Sequence, residues 1–196
     1  MKATDACWAC WISVDPSTTA DGIAIWCGSE LRYTAVIRQY KMVDGMTRGE
    51  GRLGLRVCVV RDGPGVVRVG KPSSSRSALW ADLLLLAEPV MMVYEGATGG
   101  GKGYHTALTL EEHRGDVRRW CAMAGVQDEV RVGVQEWRTI LGVKTKRCGD
   151  WKAAARERVR LSVLAGELPA WVLHCGPDEI DAVCVGMAHA AKQSEG

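Results

Sequence analysis

Four carboxylates stand where elements of regular structure should begin or end. Asp15 closes the apolar run CWISVD, Glu95 closes VMMVYE, and Asp178 and Asp181 open PDEIDAVCVGMAHAAKQ. A strand that is apolar throughout and ends in an acid holds that acid rigidly at the end of a sheet. Asp178 and Asp181 are three residues apart and share a helix face, whereas Glu179 is turned away by about a third of a turn and is the weaker candidate. If the elements converge, the four anions repel: at about 6 Å and an effective dielectric of ~20, each pair costs roughly 3 kcal/mol. Such a cluster persists only by taking up protons or a divalent cation, and an all-oxygen set favours Mg²⁺ or Mn²⁺ over Zn²⁺. Two such ions about 3.5–4 Å apart activate water and stabilise the leaving oxygen in phosphodiester cleavage. Taken singly, each acid has an ordinary role, Asp15 as a turn former before proline and Asp178 as a helix cap. The chemistry rests on their joint placement.

The elements that must position these acids follow from periodicity. CWISVD (Cys10 to Asp15), IAIWC and LRYTAVI read as three strands, the last two joined by the tight turn GSE. LRVCVV and VVRVG flank RDGPG as a further hairpin or excursion. SSSRSALWADLLLLAEP carries a serine cap, helical spacing and a terminating proline. VMMVYE is a short strand for the middle of a sheet. TALTLEEHRGDVRRWCAMAG reads as a helix capped by Thr106 and stopped by Gly125. VRVGVQEWRTIL is the fifth strand and its exit, DWKAAARERVRLSVLAG a basic amphipathic helix capped by Asp150, and PDEIDAVCVGMAHAAKQ the last helix, with Pro177 in its first turn. This order gives an α/β fold with a mixed sheet, and residues 1–196 read as one domain.

Composition is that of a soluble globular chain, 47% apolar and 24% charged with a net charge of +2. No apolar run is long enough to span a bilayer, and the amino terminus lacks the pattern of a signal peptide, so the expectation is a cytoplasmic protein. The eight cysteines are scattered through apolar stretches. Cys7 and Cys10 make one C-x-x-C without the second pair a zinc site needs, so buried thiols are expected.

Two further stretches bear on binding. In GATGGGKGYHT, Gly96, Gly101 and Lys102 come close to a phosphate-binding loop, but Gly103 stands where that loop needs Ser or Thr, and Glu95 would repel phosphate. The glycines suit a flexible arm from which Lys102 and Tyr104 touch a nucleic acid through phosphate contact and stacking. From Arg131 to Arg160, nine basic residues face three acidic ones, a patch suited to a polyanion or to a solvated helix face. Trp137, beside Arg138, suits core packing or stacking on a base. The histidines lack ligand spacing and are read as satisfied core or surface residues.

Three segments together resemble a known family. ISVDPSTTADGIAIW resembles the opening of RuvC-like Holliday junction resolvases, where a strand ends in D-P-G-S. VMMVYEGATGGGKGYHTALTLEEHRG is similar to their central strand ending in Glu, then a loop, then a helix written S-A-L-K-L-G-x-A-R-G. PDEIDAVCVGMAHA is similar to their last helix with D-x-x-D-A. The resemblance keeps order and approximate spacing across nearly the whole chain. It implies an RNase H-like fold with a mixed five-stranded sheet flanked by helices and, here, an extra hairpin. It also implies a homodimer and Mg²⁺-dependent nicking of branched DNA such as four-way junctions, with metal-binding and catalytic roles on Asp15, Glu95, Asp178 and Asp181. Ala182, Gly186 and Ala190 then form a small-residue stripe that lets the last helix lie close to the sheet. The basic stretch falls where the family binds the DNA backbone, so the DNA-contacting candidates are Lys102, Tyr104, Arg138, Lys144, Lys146, Arg147, Lys152 and Arg156. Ser17 stands in place of a family glycine, Asp44 to Lys71 does not align and reads as an insertion, and Thr98 occupies the position of a loop aromatic whose role either passes to Tyr104 or is absent. A binding module that does not cut, and an actin-like phosphotransferase suggested by VDPSTT, are the competing readings.

Overall fold

Alternation in the first strand decides the architecture. In β1 (Cys10–Asp15), Trp11, Ser13 and Asp15 face one side of the sheet, and Ile12 and Val14 the other. Both sides are buried, so each nucleates a separate core. A computed structural model describes residues 10–17, 19–39, 56–63, 67–69, 75–96, 104–144 and 150–194, with the backbone alone at 39, 56, 57, 67–69 and 104–106.

β1 pairs antiparallel with β2 (Ala20–Cys27), which pairs with β3 (Glu30–Gln39), then β4 (Arg56–Arg61) and β5 (Val67–Val69), all antiparallel. On its other edge β1 pairs parallel with β6 (Met91–Gly96), and β6 with β7 (Asp128–Gly133). The sheet has seven strands in the order β5-β4-β3-β2-β1-β6-β7. The five strands expected from the sequence are β1, β2, β3, β6 and β7, and the extra hairpin is β4–β5, which extends the sheet beyond β3. The parallel pairs need crossovers, supplied by α1 (Arg76–Ala87) and α2 (Tyr104–Met123). These helices cover the face bearing Ile12, Val14, Ile23 and Ile25. Helices α4 (Trp151–Leu164) and α5 (Pro177–Ser194) cover the other, with Trp11, Trp26 and Val93 beneath them. No helix among the described residues is long and apolar enough to cross a membrane.

Several local expectations change. Ser75 caps α1, accepting from the Ala78 amide at 3.3 Å. Thr106 lies inside α2, which begins two residues earlier. Gly125, at φ 90°, ends that segment as expected. The run after β7 is a short helix, α3 (Val134–Ile140), not a strand exit. Glu136 turns the chain there by accepting from the Gly133 amide at 2.9 Å, which favours a helical first turn. Asp150 stands at the head of α4 but makes no side-chain capping bond.

The last helix lies almost on the sheet backbone. A Cβ on Gly186 would come within 2.5 Å of the Trp26 ring, and one on Gly22 within 1.9 Å of the Asp178 carbonyl oxygen. Ser13 donates its hydroxyl to the Ala182 carbonyl at 2.8 Å and accepts from the Trp26 indole at 2.9 Å. The small-residue stripe is therefore a close-packing device, which seats the head of α5 over β2. Gly22→Ala is expected to cost ~1–3 kcal/mol in urea unfolding, because a backbone carbonyl cannot swing aside as a flexible side chain can. Gly115→Ala in α2 meets nothing within 4 Å and is expected to stabilise by ~0.5–1 kcal/mol in the same assay.

Candidate active site

Asp15 and Glu95 end neighbouring parallel strands. The last paired positions, Val14 and Tyr94, lie one residue before each. Both acids therefore project side by side towards α5. Helix α5 starts over Gly22 and brings Asp178 and Asp181 to the same end of the sheet. Their electrostatics record the meeting. Burial pushes the Asp15 carboxyl well above the ordinary range, and the charges of Glu95, Asp181 and Asp178 push it further, against Lys152. Burial also raises Glu95, aided by Asp181 and opposed by the Trp137 hydrogen bond and by Arg114 and Arg138. Asp181 is raised by burial and by Asp178, with Lys152 and Arg138 opposing.

Cationic and neutral donors hold the cluster together. Lys152 places its Nζ 3.3 Å from Asp178 Oδ1 and 3.5 Å from Asp181 Oδ2, bridging the two acids of α5. Burial alone would lower the Lys152 ammonium, but Asp181 and Asp178 outweigh it and hold it above its ordinary value. Arg38 of β3 donates to Asp178 Oδ2 at 2.6 Å. Glu95 receives the Trp137 indole N–H at Oε2, 2.9 Å away, while Arg114 donates to its backbone carbonyl at 3.0 Å.

Two deeper networks fix the supporting backbone. Asp21, fully buried, accepts from Trp80 Nε1 at 2.9 Å, His113 Nε2 at 2.7 Å, Arg76 Nη2 at 3.2 Å and the Ser17 amide at 3.3 Å. Arg76 also donates to the Ser17 carbonyl at 2.6 Å. The turn that follows Asp15 is thus tied to α1 and α2, and Ser17, in place of a family glycine, is accommodated within that tie. Glu179 is turned away from the other acids, as its position in the helix predicts, but it is no surface residue. It is buried and accepts from Thr34 at 2.8 Å, from Arg61 Nε at 3.0 Å and from the Gly176 amide at 2.8 Å. Arg61 comes from β4, so the extra hairpin anchors the start of the helix that carries Asp178 and Asp181.

Of the DNA-contacting candidates, Lys144 is exposed. Arg138 lies over two tryptophans, its guanidinium carbon 5.3 Å from the Trp137 ring centroid and 4.2 Å from that of Trp151. Lys152 belongs to the carboxylate cluster itself. Arg156 donates to the Cys175 carbonyl at 2.7 Å, bracing the segment before α5. Lys102, Lys146, Arg147, the side chain of Tyr104 and the glycine-rich loop lie outside the described residues. Trp137 is a core residue, 2% exposed, and is not placed to stack on a base. His113 is a satisfied core histidine. Cys58, Cys121, Cys175 and Cys184 are buried thiols.

Among the described residues, no group of three or more acidic, histidine or cysteine side chains is arranged so that it could hold a metal ion as it stands. The four carboxylates are nonetheless all-oxygen donors with accumulated negative charge, the donor chemistry that hard divalent cations favour. The Lys152 ammonium lies between Asp178 and Asp181 and offsets part of that charge.

The sheet order and the flanking helices give a mixed α/β architecture of RNase H-like, RuvC-like fold. T. thermophilus RuvC in complex with Holliday junction substrate superimposes with a TM-score of 0.56 at 13% identity, covering 96% of each chain. A second Thermus thermophilus RuvC structure gives 0.52 at 14% identity, covering 95% of this chain and 96% of that one. A propionate kinase from Francisella tularensis gives 0.47 at 9% identity over 81% of this chain and 49% of that one, too loose a likeness to bear on function. No protein-family model and no curated protein sequence matches the chain.

The raised carboxyls have a thermodynamic sign. Their folded pKa values lie above the ordinary 3.8 and 4.5, so the folded state holds protons that the unfolded chain has already released. Their contribution to stability is unfavourable above the raised values and improves as pH falls towards the ordinary ones. In EDTA at pH 7.5, Asp15→Asn is therefore expected to melt above wild type, by about 2–4 °C for each kcal/mol of relieved repulsion. The gap should narrow as pH falls and close only below the ordinary Asp value of 3.8. A variant that melts lower than wild type at every pH would show that Asp15 is held by favourable contacts instead.

Proposed function

We propose that this chain is a structure-selective DNA endonuclease that resolves Holliday junctions or other branched DNA by Mg²⁺-dependent, two-metal phosphodiester hydrolysis. The observation that carries the proposal is the convergence of Asp15, Glu95, Asp178 and Asp181 at one end of the sheet, each of the three shifted carboxyls being raised by another member of the group. The RuvC-like fold supports the same reading. One of the similar structures is T. thermophilus RuvC in complex with Holliday junction substrate.

In this reading the four carboxylates hold Mg²⁺, or Mn²⁺ in its place. The bound ions supply activation of water and stabilisation of the leaving oxygen. The chain's own residues do the rest. Lys152 offsets negative charge between the acids of α5 and offers the backbone phosphates a cation at the rim. Arg138, held against Trp137 and Trp151, presents a guanidinium to the same backbone, and Lys144 extends the contact along the duplex arm. Lys102 would reach the DNA from between β6 and α2, Tyr104 from the first residue of α2, and Lys146 and Arg147 from the segment before α4. Cutting two strands of a four-way junction symmetrically requires two such sites, which a twofold homodimer provides.

The test is cleavage of a labelled four-way junction in Mg²⁺, with linear duplex and flap controls. Paired nicks on opposing strands are expected from wild type. Asp15→Asn should lose more than the ~10–100-fold that an outer partner of a metal site is worth. Binding of branched DNA without any cutting, in Mg²⁺ or Mn²⁺, would make the chain a binding module instead.

A further inference from the structure

The core contact between Trp137 and Glu95 goes beyond the nuclease reading and rests on it. Trp137 lies on α3, buried among the residues between the sheet and α5, and its only polar atom donates to Glu95 Oε2 at 2.9 Å. Arg114 of α2 fixes the Glu95 carbonyl from the other face of the sheet, so backbone and side chain are clamped by different helices. The two clamps differ in kind. An indole is a donor with no charge and no acceptor capacity. It can orient a carboxylate inside an apolar core without neutralising it, whereas a lysine or arginine at that position would cancel the charge needed to attract a cation.

We propose that Trp137 is a positioning residue for the site: its indole N–H holds the Glu95 carboxylate in one rotamer against Asp15 and Asp181 and leaves its negative charge available to a divalent cation. The Trp137 ring also backs the Arg138 guanidinium. One side chain therefore sets the orientation of an acid of the cluster and of a cation at its rim. Hydrogen-bond partners that orient a ligand typically change metal affinity by about 10–100-fold when removed.

The experiment combines ¹⁵N-indole NMR with metal titration. The chain carries eight tryptophans, and Trp137→Phe identifies the Trp137 resonance by its disappearance. Glu95→Gln, which keeps the acceptor but removes its charge, identifies the same resonance by shifting it. Mn²⁺ added to wild type should broaden this indole signal ahead of that of Trp80, which lies on the opposite side of the sheet. Trp137→Phe should keep the cooperative melt of wild type, bind Mn²⁺ about tenfold more weakly, and recover most junction cleavage at saturating metal. A Mn²⁺ affinity unchanged in Trp137→Phe would overturn the assignment even if wild type cuts junctions, and so would an indole signal that ignores Mn²⁺. If Trp137→Phe does not fold, the Glu95→Gln shift and the Mn²⁺ broadening in wild type decide. If wild type cuts no DNA yet the indole responds to Mn²⁺ as described, the positioning role stands and the nuclease reading fails.

Discussion

Everything at this site depends on how closely α5 lies on β1 and β2. Gly22 and Gly186 leave no side chain between helix and strand, and Ser13 joins the two through the Ala182 carbonyl. A helix seated that low delivers Asp178 and Asp181 to the strand end where Asp15 and Glu95 already project. Close packing and like-charge crowding are thus one feature seen from two sides. The apolar contacts of the core offset a repulsion that the acids would otherwise avoid by separating.

The surrounding residues keep that crowding tolerable without abolishing it. Arg38 and Lys152 take part of the charge on α5, and the Trp137 indole and Arg114 orient Glu95. Asp21 and Glu179, both buried, work one layer further out. Asp21 ties the turn after Asp15 to α1 and α2, and Glu179 ties the head of α5 to β3 and the added hairpin through Thr34 and Arg61. These anchors are fully paired buried acids, whereas the Asp15 carboxylate receives no hydrogen bond from the described residues. The cluster is a place where negative charge is concentrated by design of the scaffold around it, consistent with a cation site.

The placement of Asp15, Glu95, Asp178 and Asp181 was legible in the sequence because each ends or opens an element with an unambiguous period. Apolar runs finishing in Asp15 and Glu95, and the three-residue spacing of Asp178 and Asp181, need no tertiary information. The extra hairpin could also be read, from LRVCVV and VVRVG around a Gly-Pro turn. What escaped were contacts between distant positions. Trp137 and Glu95 are 42 residues apart, Arg61 and Glu179 118, and no local pattern links them. Asp21 escaped for another reason: it stands in DPSTTADG, which reads as a turn, yet β2 already begins at Ala20 and buries it. Helix α3 was hidden because VRVGV alternates like a strand up to the residue where Glu136 turns the chain.

The central claim is that the four carboxylates form one cation site. Calorimetric titration of Mn²⁺ into the metal-stripped protein at neutral pH tests it most directly, with wild type and Asp15→Asn compared under the same conditions. Saturable uptake of one or two ions by wild type, weakened by at least ~100-fold in the variant as expected for loss of a direct ligand rather than an outer partner, is the predicted result. No uptake by wild type, or equal uptake by both proteins, would contradict it.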